Sequence, residues 1–300
     1  MNVLARRLRR ALPYQNVFYT ETEAVSFCSV ARGHETTLNG FGVNLINVES
    51  DPFVRRWISE TASLPHVQDK SATPCGLEIG TAFGSATLEA LRRGAPCVLA
   101  NDMEPQHLLV LRQRWDRLCE KKAPISAGST SQALTRLVEL PGIAPEALRR
   151  GVTSQYDVKT VLCANVLHFL RPSEVVTLLR QVRSLSSSTG TRLYVSLDSP
   201  WTAAYRLFWP MYQTRKWAVR SINPGAHAVW SIFRHVIPDR LRAMTYYHVM
   251  EPPALEHFLQ QAGWEVEECR LFAGDCVGNP AGVSLGNGME MVGAVARCGP

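Results

Sequence analysis

Between residues 71 and 200 short apolar runs alternate with longer stretches in which apolar residues recur every three to four positions. A short apolar run bounded by turn residues reads as a buried strand, and the 3.6-residue period reads as helix. The first unit is a strand at Gly76–Gly80, a loop at Thr81–Gly84 and a helix at Ser85–Arg93. A second strand, Cys97–Ala100, ends at Asn101 and Asp102, and Pro105 opens a helix to about Glu120. Pro124–Ala127 reads as a short third strand, followed by helical patterns at Ser131–Leu140 and Pro145–Arg150. Tyr156–Cys163 and Arg192–Leu197 read as strands on either side of a helix at Pro172–Leu185. Pro252–Ala262 is a helix stopped by Gly263, and Trp264–Phe272 and Met289–Arg297 are two closing strands. Strands alternating with helices over short connections predict an α/β fold with a right-handed, mostly parallel sheet. Seven strands are expected, the last one antiparallel.

Four regions follow from this pattern. Residues 1–70 form a helical N-terminal cap. Ser50-Asp51-Pro52 reads as a helix start with serine as the cap, ahead of Phe53, Val54, Trp57 and Ile58 at helical spacing. Residues 71–200 form the core, and 248–300 complete it with a helix and a β-hairpin. Residues 201–247 are an insertion, mostly helical in pattern and broken at Pro210, Pro224 and Pro238.

Charge sharpens the picture of the insertion. The chain's formal net charge is +6, and the 201–247 segment alone holds seven basic residues against one acid, Asp239. The remaining 253 residues balance to zero. The same segment carries ten of the 25 aromatic residues, including four of the seven tryptophans. Eight cysteines with no C-x-x-C pair fit neither a disulfide scaffold nor a zinc site, so a cytoplasmic protein without a metal centre is expected. No apolar run approaches the roughly 20 residues of a membrane span. Met1–Leu12 carries four arginines and lacks the apolar stretch of a secretory signal. A transit peptide and an amphipathic helix packed on the domain both stay open for it.

Ligands of open α/β sheets bind at the carboxyl ends of the strands, so the loop after the first strand is the place to look. Gly80 and Gly84 flank a tight turn there, with Thr81 and Ala82 between them. The loop is not G-x-G-x-x-G, which disfavours NAD, and it lacks the G-K-[ST] of a phosphate loop. Glu78, two residues before Gly80, would repel a pyrophosphate and suits a cationic group. Asp102, ending the second strand, is placed to accept hydrogen bonds from ribose hydroxyls. A ligand with a ribose, an ammonium group and no phosphates is S-adenosylmethionine.

On these residues the sequence resembles the class I SAM-dependent methyltransferases, which have a Rossmann-like fold. The matching stretches are Leu77-Glu-Ile-Gly-Thr-Ala-Phe-Gly-Ser-Ala-Thr87, Asn101-Asp-Met-Glu-Pro-Gln-His-Leu108 and Val161-Leu-Cys-Ala-Asn-Val-Leu-His-Phe-Leu170. The resemblance implies that Glu78, Gly80, Thr81, Ala82 and Gly84 hold the methionine end and Asp102 the ribose. It places Met103 on one face of the adenine and Asn165 near the reactive methyl. The chain departs from the family where Ala82 or Phe83 stands in place of a glycine. No acid follows the expected third strand either, so Ser129, Thr130 or Gln132 are the substitutes for an adenine contact.

By the same resemblance the insertion after the fifth strand is a helical lid over the methyl donor. Trp201, Tyr205, Arg206 and Trp209 are its candidate substrate-binding residues, arginine being suited to bidentate recognition of a carboxylate or phosphate. His168 and His248 are the candidate general bases; core packing is the competing role for His168. The expected acceptor is a small or medium-sized, partly apolar, anionic molecule, with O-methylation preferred. A charge of +6 without an RNA-binding module disfavours nucleic acid. A membrane surface, a homodimer, a methyltransferase-like binding protein without turnover, and a protein or RNA methyltransferase stay open.

Overall fold

The computed structural model describes residues 30–31, 34–37, 43–45, 48–67, 72–122, 135–186, 190–201, 209–222, 230–231, 248–274 and 288–299. Met1–Leu12, Pro124–Ala127, Ser129, Thr130, Gln132, Tyr205 and Arg206 lie outside them.

The region before residue 70 contains three short antiparallel strands as well as the expected helix: β1 (Val30–Ala31), β2 (His34–Thr36) and β3 (Val43–Leu45). Strands of two or three residues are too short to show a period of two. Helix α1 (Pro52–Ala62) is capped by Asp51 rather than Ser50, because Pro52 takes the first helical position and the cap directly precedes it. The Asp51 Oδ1 accepts from the Phe53 and Val54 N–H groups at 2.8 and 3.1 Å.

The main sheet is built from β4 (Thr73–Ile79), β5 (Cys97–Asp102), β6 (Arg136–Pro141), β7 (Tyr156–Ala164), β8 (Arg192–Asp198), β11 (Trp264–Phe272) and β12 (Met291–Cys298). Its spatial order is β11-β12-β8-β7-β4-β5-β6, and β12 alone runs antiparallel to its neighbours. The connecting helices are α2 (Ser85–Arg92), α3 (Pro105–Lys122), α4 (Glu146–Gly151), α5 (Pro172–Leu185) and α7 (Pro252–Gln261).

The third strand corrects the sequence reading. Residues Arg136–Pro141 are strand β6, where a helix at Ser131–Leu140 was expected. Leu137 and Leu140 are three residues apart and mimic a helical repeat. As the edge strand, β6 pairs on one side only, with β5. The loop after it is therefore Gly142–Pro145, and that loop also contains no acid.

Both faces of the sheet are covered, so its central strands are buried almost end to end, as parallel strands are. Alternate residues serve opposite faces. Leu77, Leu99, Val161, Leu193 and Val195 pack with α5 and α7 through Val175, Leu179, Leu255 and Leu259. Val98, Ala100, Leu162 and Tyr194 pack with α1, α2 and α3 through Trp57, Ile58, Ala90 and Leu111. The six described cysteines are free thiols. No helix among the described residues is long and apolar enough to cross a membrane.

The described part of the insertion is Trp201, helix α6 (Trp209–Ile222) and strand β9 (Trp230–Ser231), which pairs with β10 (His248–Val249) just beyond it. Pro210 lies in the first turn of α6, where its missing N–H breaks no helical bond. It starts the helix instead of interrupting it.

Candidate functional site

The parallel strands deliver their C-terminal ends to one edge of the sheet, and the loops after β4, β5 and β7 converge there. The β4 loop is tied to the end of β5. The N–H groups of Gly80 and Thr81 both donate to the Asn101 carbonyl, at 2.8 and 2.9 Å. The Ala82 N–H donates to Asp102 Oδ2 at 2.8 Å, and the Gly84 N–H to the Thr81 carbonyl at 2.8 Å. The Asn101 side chain in turn donates to the Leu140 and Gly142 carbonyls, at 2.7 and 2.9 Å, joining β5 to the end of β6.

Four of the five amides from Gly80 to Gly84 are thus engaged by protein acceptors. A loop that cradles phosphate needs those amides for its ligand. The groups this loop presents are carboxylates, which suit a ligand rich in donors.

Backbone conformation and close packing both require these glycines. Each has positive φ, +72° at Gly80 and +76° at Gly84. A Cβ on Gly80 would lie 2.4 Å from Val166 Cγ2, and one on Gly84 would lie 2.2 Å from Leu111 Cδ1. Gly80 therefore lets the β7 loop pack on the β4 loop, and Gly84 lets α3 pack on the start of α2. Ala82 and Asn165 adopt the same left-handed region with side chains, at φ +47° and +56°. Such residues cost on the order of 1 kcal/mol and persist where surrounding contacts hold them. The Asn165 N–H is held by the Ser196 carbonyl at 2.7 Å.

Glu78 is buried, and its Oε2 accepts from Thr81 Oγ1 at 2.9 Å and from Thr87 through both N–H and Oγ1. Its Oε1 takes part in none of these bonds. Burial pushes the carboxyl up to about 7, against the hydrogen bonds from Thr87 and Thr81 that favour its ionised form. Asp102 is also buried. Its Oδ1 accepts from the Glu104 N–H at 2.9 Å and lies 3.0 Å from His107 Nδ1. Met103 beside it keeps its side chain exposed.

His107 belongs to this constellation and sequence patterning gives no sign of it, since it occupies an apolar position on α3. Its ring stands edge-on to Phe83 with centroids 5.2 Å apart. The one available signal is its place five residues after Asp102, in the first turn of a helix that begins at the end of β5.

Trp201 follows the end of β8 at the same edge of the sheet. Its ring meets Trp209 and Tyr212 edge-on, at 5.6 and 6.2 Å. Trp209 Nε1 donates to the Pro200 carbonyl at 2.7 Å, and the Tyr212 hydroxyl to Glu251 Oε2 at 2.7 Å. Lys216 completes the group with an ion pair to Glu251. These contacts dock α6 on the core. His168 is buried, its ring 4.0 Å edge-on from Phe169. His248 is placed by its backbone in the β9–β10 ribbon.

No protein-family model matches the chain, and no curated protein matches it by sequence. Solved structures do. A SAM-dependent methyltransferase from Methanosarcina mazei is 12% identical, with 83% of this chain aligned to 98% of that one at a TM-score of 0.50. An S-adenosylmethionine-dependent methyltransferase from Mesorhizobium loti is 16% identical over 84% of this chain and 100% of that one, at 0.45. Magnesium protoporphyrin IX methyltransferase from Synechocystis, solved with bound SAH, is 12% identical over 99% and 88%, at 0.46. With strand order, the single antiparallel strand and the Methanosarcina mazei alignment in agreement, the chain has the Rossmann-like fold of the class I SAM-dependent methyltransferases.

Proposed function

We propose that the chain is a SAM-dependent methyltransferase that methylates an oxygen of a small or medium-sized, partly apolar, anionic acceptor. The observation that carries this reading is the chemistry of the β4–β5 edge. Its loop amides are engaged internally, while two buried carboxylates, Glu78 and Asp102, stand beside the loop. That donor set fits an ammonium and a ribose and disfavours a pyrophosphate.

In this reading Glu78 takes the ammonium through Oε1, with Gly80, Thr81, Ala82 and Gly84 shaping the methionine end. Asp102 takes the ribose, Met103 covers one face of the adenine, and Asn165 lines the pocket near the acceptor. The bound cofactor supplies a methyl group made electrophilic by its sulfonium. The chain's own contribution is orientation: three loops pinned to one another hold the two reactants in line. A carboxylate acceptor is already nucleophilic and needs no general base. His168, buried against Phe169, fits core packing, and His248 is the candidate base for a hydroxyl acceptor. Trp201 and Trp209 supply the apolar wall, and Tyr205 and Arg206 join them as the proposed contacts to the acceptor's apolar part and its anionic group.

The experiment is transfer of a labelled methyl group to a panel of aromatic and long-chain carboxylic acids, with Asp102→Ala as control. Base-labile incorporation, the signature of a methyl ester, is expected. S-adenosylhomocysteine (SAH) binding without turnover on any acceptor favours the binding-protein reading instead.

Helix α6 favours a second reading of where the acceptor is met. Trp217 is 72% exposed, and Met211 and Arg215 are exposed on the same helix. Tryptophan and arginine on one surface helix, within a segment of net charge +6, suit an anionic membrane surface. Co-sedimentation with phosphatidylglycerol vesicles but not phosphatidylcholine vesicles, lost in Trp217→Ser, supports it.

A further inference from the structure

The loop that departs from the family pattern at Ala82 and Phe83 is held by a closed circuit of contacts. From Asp102 Oδ2 the circuit runs to the Ala82 N–H, at 2.8 Å, and along the backbone to Phe83. Phe83 is fully buried, with the Arg114 guanidinium 5.4 Å from its ring centre on one side and the His107 ring edge-on at 5.2 Å. His107 is itself buried and returns to Asp102 through Nδ1, 3.0 Å from Oδ1. Facing a carboxylate, Nδ1 is the donor.

Counting lone pairs shows what this does to Asp102. Each carboxylate oxygen accepts about two hydrogen bonds. Oδ1 is filled by the Glu104 N–H and His107, and Oδ2 holds the Ala82 N–H. The carboxylate cannot rotate without breaking these bonds, and its remaining acceptor capacity is on Oδ2. Phe83 removes the freedom that a glycine would give the loop, and His107 locks both the ring and the carboxylate.

We propose that His107 is the positioning residue of the ribose site: it orients Asp102 so that Oδ2 accepts one ribose hydroxyl, and it ties that orientation to the β4 loop through Phe83. The proposal rests on the methyl-donor reading, because it takes Asp102 as the group that meets the ribose.

The test is calorimetric titration of SAH and of its 2′,3′-dideoxy analogue into the wild-type protein, His107→Phe and His107→Asn. Phenylalanine keeps a ring against Phe83 and removes the Nδ1 donor; the asparagine amide puts a donor back near that position. His107→Phe is expected to bind SAH about tenfold more weakly, the size of one charge-assisted hydrogen bond. The same variant is expected to bind the dideoxy analogue as tightly as wild type does. His107→Asn is expected to come within about threefold of wild type for SAH, well inside that loss. Equal losses for both ligands would mean a merely structural role and overturn the proposal. So would an unchanged affinity in His107→Phe, or an asparagine variant as weak as phenylalanine. If the phenylalanine variant fails to fold, His107→Leu, which also lacks the donor, takes its place with the same expected and refuting results. Wild-type protein that binds no SAH overturns the methyl-donor reading and this inference with it; wild-type binding with insensitive variants overturns the inference only.

Discussion

Replacing Glu78 by glutamine should make the ligand-free protein more stable and the cofactor site weaker. The side chain is buried at the end of β4, and burial raises its carboxyl from an ordinary 4.5 to about 7. A raised native value means that the folded protein binds a proton more tightly than the unfolded chain does. The stability this provides is complete below pH 4.5 and is lost as pH rises through about 7. Above that point the wild type carries a buried charge at a cost of up to about 3 kcal/mol, the equivalent of the displacement from 4.5. Glutamine keeps the acceptor that Thr81 and Thr87 need and carries no charge. At pH 8 the variant should gain about 1–3 kcal/mol, or roughly 2–5 °C in Tm. The measurement is thermal unfolding of both proteins without ligand from pH 4.5 to pH 8. The difference in Tm should grow as pH rises toward about 7 and then level off. SAH affinity of the wild type should rise over the same interval as Glu78 ionises, while that of the variant stays flat and about tenfold or more weaker at pH 8, the loss of one ionic hydrogen bond. A variant less stable than wild type at pH 8, or a Tm difference independent of pH, rules out a buried charge on Glu78.

Three further outcomes are expected. Asp102→Ala removes the ribose contact and frees the loop anchored through the Ala82 N–H, so SAH affinity should fall at least about tenfold by calorimetry, the loss of one hydrogen bond to a charged group. Asp51→Ala deletes the cap of α1 and should cost about 1–2 kcal/mol in urea unfolding; Asp51→Asn, which keeps an acceptor for Phe53 and Val54, should cost much less. Trp209→Phe breaks the bond to Pro200 that helps dock α6 on the core, and should raise the acceptor KM about tenfold while SAH affinity stays put, a tenfold change being about 1.4 kcal/mol.

The parallel core was legible because its signals are redundant. Cys97–Ala100 is apolar and buried throughout, Tyr156–Cys163 is buried on both faces from Thr160 on, and turn residues bound both, so period and composition agree. The third strand was not, since an edge strand carrying Arg136 and Glu139 with leucines three apart imitates an amphipathic helix. At α1 Ser50 and Asp51 are equally good caps by residue type, and only Pro52 at the first helical position singles out Asp51. At the site, Glu78, Gly80 and Asp102 were readable from their place at strand ends. What they touch was not: the clashes that demand Gly80 and Gly84 come from Val166 and Leu111, far along the chain. His107 was hidden because a buried histidine on α3 looks like any other core position until its carboxylate partner is seen.

The proposed function requires that the β4–β5 edge bind a ribose and an ammonium and no phosphate. Isothermal titration of the full chain with SAH and, separately, with NAD tests it most directly. Micromolar binding of SAH, weakened in Asp102→Ala, and no heat with NAD are expected. Binding of NAD, or wild-type protein indifferent to SAH, contradicts it.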